Sequence, residues 1–204
     1  MKLTWLGHAC FLLENDGSSL VFDPYAPEYV PGFSLPELKA DICICSHGHE
    51  DHSYAKAISV SGKVHDFSIT QIPCFHDEKG GMLRGENLIT IAECDGIRVA
   101  HMGDLGHELS GEQLAAMGKI DVLMIPIGGF YTIDSVTAAA IAKKLQPKYT
   151  VPMHYKGEGF GFDVLETVDK FLSLMDNVKY CDSNSIIINR DAEASVMVLQ
   201  APLA

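Results

Sequence analysis

The sequence predicts a layered α/β domain, of the α+β kind, in which helices cover sheets. Three observations carry that expectation. Short apolar runs separated by turn residues crowd the first half of the chain, and strand-type runs alternate with helix-type periodicity in the second. In addition, 47% of the 204 residues are hydrophobic, enough for a sizeable core, so one domain spanning residues 1–204 is expected.

The elements follow in chain order. Leu3 to Gly7, Ala9 to Glu14 and Ser19 to Asp23 read as strands of a meander, with Asn15-Asp16-Gly17 as the turn between the last two. Pro24 to Pro36, rich in proline and aromatic residues, fits a surface loop. Asp41 to Cys45 reads as a short buried strand running into a histidine cluster, and a short helix is expected over Ser53 to Ser59. Phe67 to Pro73 is a further apolar stretch. Leu88 to Glu93 and Ile97 to Met102 flank Asp95-Gly96, a hairpin signal. Ser110-Gly111-Glu112-Gln113 has the form of a capping box opening a helix to about Met117. Then come a strand over Asp121 to Pro126, a helix over Asp134 to Leu145 capped by Asp134 or Ser135, and a strand over Tyr149 to Pro152. An amphipathic helix over Asp163 to Met175 and strands at Ser185 to Asn189 and Ser195 to Gln200 complete the chain. No repeat or low-complexity tract interrupts it.

Charge narrows the function. Fifteen basic against 27 acidic residues leave a net charge of −12, which repels polyphosphate backbones, so no nucleic-acid partner is expected. A small-molecule substrate remains open, an anionic one included, because bound metal reverses the field inside a cleft. No apolar run approaches the roughly 18 residues that span a bilayer, so no membrane partner is expected. The N-terminus lacks a secretory pattern, and the six cysteines sit mostly in apolar stretches. These features fit reduced thiols and a cytoplasmic address. Cys43 and Cys45, two apart in a strand, read as one packed face rather than as metal ligands. A homo-oligomer is left open.

His47-Gly48-His49-Glu50-Asp51-His52 places four ligand-type side chains within six residues. His47 and His49 point the same way in an extended segment and can share one metal. Asp51 and His52 are adjacent and cannot both follow that direction, which suits a second metal beside the first. Imidazole and carboxylate are donors for zinc, iron or manganese. Three later residues recur in one context, just past a short strand with Gly or Pro nearby: His76 after Phe67 to Pro73, Asp104 after Ile97 to Met102, and His154 after Tyr149 to Pro152. That recurrence predicts convergence on one sheet edge. His65 and His101 are read as non-ligands, the first for want of a motif and the second for lying within a strand.

The ordered set His-x-His-x-Asp-His, His76, Asp104 and His154 resembles the metallo-β-lactamase superfamily. Trp5-Leu6-Gly7-His8-Ala9, Phe22-Asp23-Pro24, Gly103-Asp104, Pro126-Ile127-Gly128-Gly129 and Pro152-Met153-His154-Tyr155 are similar to a subgroup of small metal-dependent hydrolases near its ascorbate-6-phosphate lactonase branch. The resemblance implies a four-layer αββα sandwich with the site at one edge of the sheets. It also implies one metal on His47, His49 and His76, another on Asp51, His52 and His154, and Asp104 bridging them. The ions expected are two divalent metals, Zn2+ first, with Mn2+ or Fe2+ as alternatives.

Such a pair lowers the pKa of a shared water toward neutrality, and the hydroxide attacks an ester, lactone or phosphoester. Asp51 is the residue expected to orient that nucleophile or carry its proton. Arg84, His107, Tyr155 and His8 are candidate substrate contacts, and Gly128-Gly129 reads as a turn that leaves room at the site. Three other readings stay open: a catalytically silent metal-bound binding or sensor protein, a di-iron oxidoreductase and a nuclease. The di-iron branch typically carries Glu where His49 stands, together with a flavin domain. Nuclease relatives carry an additional RNA-binding arm.

Overall fold

A computed structural model describes residues 1–203. Strands β1 (Lys2–Gly7), β2 (Cys10–Asn15) and β3 (Ser18–Phe22) form the expected antiparallel meander. Its tight turn has Asp16 at φ 40° and Gly17 at φ 88°, as a two-residue hairpin requires. Strand β5 (Ile42–Ile44) pairs parallel to β3, and β13 (Ser185–Ile187) pairs antiparallel to β1, giving the order β13-β1-β2-β3-β5.

The second sheet is built from β7 (Ser68–Phe75), β8 (Glu86–Cys94), β9 (Ile97–His101), β10 (Val122–Pro126), β11 (Tyr149–Met153), β12 (Val178–Tyr180) and β14 (Ser195–Val198). Their order is β12-β14-β11-β10-β9-β8-β7. β10 runs parallel to both neighbours and every residue in it is buried, which explains its unbroken apolar run.

Helix α2 (Ser135–Leu145) packs on β10, with Asp134 accepting from the Thr137 amide at 2.9 Å as its cap. Helix α1 (Gly111–Met117) packs beside β7 and makes both halves of its capping box. Helix α3 (Val168–Leu172) leans on α2. The two sheets meet face to face: Phe22 of β3 stacks on His101 of β9 with ring centroids 5.0 Å apart. This is the layered arrangement expected.

Two expectations fail locally. Over Ser53 to Ser59 there is a 3-10 turn, Ala55–Ala57, followed by β6 (Ile58–Val60), which pairs parallel to β4 (Leu38–Ala40). The Ser53 hydroxyl donates back to the Gly48 carbonyl instead of capping a helix, and β-branched Ile58 and Val60 favour extended backbone. Over Asp163 to Met175 only α3 is helical. There the Glu166 amide donates to the Gly128 carbonyl at 2.9 Å and the Glu166 carbonyl accepts from Lys156, so tertiary hydrogen bonds hold the preceding segment out of the helix.

Strand direction explains where the site must lie. β1, β3 and β5 point one way in the first sheet, and β7, β9, β10 and β11 share a direction in the second. The residues just past their C-terminal ends are His8, Asp23, Ser46 and His47, His76, Asp104, Ile127 and His154. Open sheets bind ligands outside such ends.

The buried β10 supports all of this, so Ile125→Ala is expected to cost about 2–5 kcal/mol in denaturant unfolding. Val164→Ala, at a residue 49% exposed, is expected to stay within about 0.5 kcal/mol. Equal midpoints for the two variants would contradict this picture of the core.

Candidate metal centre

The cluster begins where β5 ends. A turn closed by the His52 amide on the His49 carbonyl at 2.9 Å folds His47 to His52 back on itself. His47, His49 and His76 bring their ligand atoms within 4.8 Å of one another. Their rings stand 4.7, 4.8 and 5.1 Å apart, pairwise. A second group, His8, Asp51, His52 and His154, likewise gathers its ligand atoms within 4.8 Å.

Asp104 lies between the two groups. It follows β9, is 1% exposed, and neither of its carboxylate oxygens has a hydrogen-bond partner. Its Oδ2 is 3.2 Å from His76 Nε2 and 3.2 Å from His154 Nε2, while Oδ1 is 3.2 Å from His52 Nε2. Gly103 lets the chain pass: at φ 54° it abuts Asn87 and Ser46, and any Cβ would collide with both. The Asn87 side chain accepts from the Asp104 amide at 2.9 Å and donates to the Met102 carbonyl, fixing the turn. Gly128 plays the matching part at β10, where a Cβ would strike the His154 carbonyl.

Asp23, past β3, organises the other half of the cluster. It is fully buried at φ 44°. His52 Nδ1–H donates to its Oδ2 at 2.7 Å, and Ser46 donates from its amide at 2.7 Å and from its hydroxyl at 2.6 Å. His47 Nδ1 in turn sits 3.0 Å from the Ser46 hydroxyl. The Nε2 atoms of both histidines are thereby left buried and unpartnered, which orients them as ligands. Asp23, His47 and His52 also form a close trio, but the Asp23 oxygens are already taken by these donors.

Protonation differs across the cluster when no metal is bound. Burial, reinforced by the charge of His52, holds His47 down to about 4, so it stands as a neutral lone-pair donor at pH 7. Burial and then His154 hold His8 down to about 3. For His52, burial opposes charge, but the Asp104 and Asp23 carboxylates outweigh it and raise its pKa well above the usual value. Burial also opposes ionisation of Asp104, yet His154 and His52 keep its carboxyl well below the usual range. Buried donors and acceptors without partners cost stability, so this set of orphaned nitrogens and oxygens fits resident cations.

A cleft of about 300 Å³ opens over the cluster. Asp51, His49, His76 and Asp104 form its floor, and Tyr29, Tyr131, Phe162 and Arg84 its walls. Arg84 lies 6.0 Å from the Tyr131 ring and donates to the Phe130 carbonyl at 3.2 Å. Its loop is shaped by Asp77, whose carboxylate accepts from the amides of Lys79, Gly81, Leu83 and Arg84 at 2.8–3.0 Å.

The other sequence candidates lie off the cleft. His107 bonds backbone groups on either side, at Phe75 and Glu108. Tyr155 is buried and stacked on Trp5 at 5.6 Å. His8 is fully buried behind Asp51. His101 spends both ring nitrogens on Ala9 and Gly103. At Cys45, a hydrogen bond with Cys43 and then burial push the thiol up. Sequence reasoning gave Asp23 no role beyond its place in the Phe22-Asp23-Pro24 motif and gave Asp77 none; the strand-end position that marked His76 and His154 marks Asp23 too.

A family model for the Beta-lactamase superfamily domain matches residues 2–154. A metal-dependent hydrolase of Archaeoglobus fulgidus is 30% identical over 194 residues, covering 76% of this chain and 83% of its own. Another, of Carboxydothermus hydrogenoformans, is 29% identical over 225 residues, covering 92% and 100%. A Thermotoga maritima crystal structure, named for a Zn-dependent hydrolase of the metallo-beta-lactamase superfamily, superposes with a TM-score of 0.77 at 33% identity over 98% of each chain. The αββα sandwich is therefore of the metallo-β-lactamase type.

Because Asp23 accepts from His52 and from the Ser46 hydroxyl that faces His47, Asp23→Asn is expected to weaken metal binding by about 10–100-fold in a chelator competition. Unchanged affinity in a folded variant would contradict that role. Asp77→Ala is expected to speed amide hydrogen exchange at Leu83 and Arg84 while leaving the amides of β10 protected; slow exchange at both sites would show that the loop is held by other contacts.

Proposed function

We propose, from the premise that this chain belongs to the metallo-β-lactamase superfamily and is a metal-dependent hydrolase, that it uses two metal ions to cleave an ester, lactone or phosphoester bond of a small molecule. The observation that carries the two-metal reading is the position of Asp104 Oδ2, equidistant at 3.2 Å from a histidine of each cluster. One oxygen placed between two ligand groups is the arrangement a bridging carboxylate needs. His47, His49 and His76 would hold one ion, and Asp51, His52 and His154 the other. Zinc is the first candidate, in keeping with the name of the Thermotoga maritima relative, and manganese and iron suit the same donors.

When bound, such a pair supplies a water of lowered pKa and polarises the oxygen of the bond under attack. This chain's residues do the rest. Asp51 stands at the cleft floor with Oδ2 3.4 Å from His8 Nε2. Burial resists its charge, but His8 and His52 pull its carboxyl well down, so it remains an ionised acceptor. It is therefore suited to accept a hydrogen bond from the attacking water and orient it. Arg84 on the wall would hold an anionic group of the substrate, and Tyr29, Tyr131 and Phe162 would exclude water from the reacting bond. The cleft, at about 300 Å³, is at the small end of ligand sites, which favours a compact substrate.

Metal-replete protein is expected to hold two equivalents and to hydrolyse at least one member of a panel of lactones, phosphodiesters and thioesters. Asp51→Ala should lower kcat/KM by about 10²–10⁴-fold. Asp104→Ala should lose metal from both positions. A single equivalent in wild type would refute the two-metal reading. No turnover of any panel member, with ligand binding equal in wild type and Asp51→Ala, would return the chain to a binding or sensor role.

A further inference from the structure

His8 is the one residue of the second cluster that neither the hexapeptide nor the later strand ends supply. It sits in the turn Gly7-His8-Ala9 between β1 and β2, on the same sheet edge as the site. The turn is tight and unusual. Gly7 is at φ 107°, and His8 itself is left-handed at φ 52°, a conformation that non-glycine residues hold only where the surroundings impose it. Here the surroundings do impose it: the His8 carbonyl accepts from Trp5 Nε1 at 2.9 Å and from the His154 amide at 3.3 Å. The backbone is pinned so that the imidazole points inward.

That imidazole has nothing to bond. It is 0% exposed, and both Nδ1 and Nε2 are buried without a hydrogen-bond partner. The groups around it are metal-binding ones: its ring lies 4.0 Å from that of His154 and 5.4 Å from that of His52, with Asp51 Oδ2 at 3.4 Å from Nε2. One ligand atom from each of His8, Asp51, His52 and His154 falls within 4.8 Å of all the others. Two nitrogens of the sort metals take, placed at a strained turn with only the Asp51 carboxylate, at a long 3.4 Å, in reach of one of them, cost stability unless a cation answers. A substrate contact is ruled out by geometry, since His8 lies on the protein side of Asp51 and is absent from the cleft wall.

We propose that His8 is a direct metal ligand, coordinating through Nε2 the ion held by Asp51, His52 and His154, and so giving that ion a histidine beyond the usual set. This rests on the two-metal reading above. Its consequence is an asymmetric pair: a crowded inner ion with His8 on its buried side, and an outer ion on His47, His49 and His76 facing the cleft.

Cobalt(II)-loaded wild type and the variants His8→Asn and His8→Gln would test it, with metal content, visible absorption and a crystal structure of the loaded protein as readouts. Asn tolerates the left-handed backbone and so guards against simple misfolding. The expected results are a His8 Nε2–metal distance of about 2.0–2.1 Å, loss or at least ~10-fold weakening of one of the two equivalents in both variants, and stronger visible absorption for whatever cobalt remains at the inner position, as its coordination number drops. A loaded wild type whose His8 donates to Asp51 more than 3 Å from either ion, or variants with an unchanged cobalt spectrum, would overturn the proposal. A wild type that binds one equivalent would sink the two-metal reading instead, and the two failures are thereby told apart.

Discussion

The site depends on a carboxylate that the protein buries and does not hydrogen-bond. Asp104 is enclosed at the seam of two sheets with both oxygens unpartnered, surrounded by His52, His76 and His154. An isolated buried carboxylate is too costly to keep ionised, so cations must answer it. Everything nearby serves that requirement. The sheet edge gathers the imidazoles, Asn87 and Gly103 set the turn that delivers the aspartate, and Asp23 with Ser46 turns two histidines to present Nε2 inward.

A division of labour follows between rigid and adaptable parts. The cluster residues follow within a few residues of strand ends, where the sheets fix the backbone, whereas the cleft walls come from the loops around Tyr29, Arg84, Tyr131 and Phe162. Strand packing sets the geometry of the cluster, and loop side chains set the walls of the cleft above it. The Arg84 loop is an intermediate case, because four amides converging on Asp77 give a loop the order of a framework element.

Much of this was legible in the sequence, and the reasons differ by residue. His47 to His52 is legible because its members are adjacent, so that backbone geometry alone relates them. His76, Asp104 and His154 are legible because each ends an apolar run that could only be a strand. Asp23 and His8 end such runs too, but each is a lone residue whose value appears only when a partner from another strand reaches it, at His52 for one and at Asp51 for the other. The helix expected over Asp163 to Met175 shrank to α3 for a related reason: its first half is held by Gly128 and Lys156, remote in sequence, and periodicity carries no trace of them. The convergence of Tyr29, Tyr131 and Phe162 belongs wholly to tertiary structure.

His8, Asp23 and His154 share one more property, a left-handed backbone at φ 52°, 44° and 54° in residues that are not glycine. Each is a spring held compressed by its neighbours, and three springs lie around one cluster. In the metal-free chain that strain subtracts from the folding free energy; ions bound at the cluster would offset it, by about 2.7 kcal/mol at a free-ion level one hundred times the dissociation constant. On the two-metal reading, the folded fraction would follow the supply of divalent metal, so that scarcity would act on how much folded protein persists as well as on the site itself.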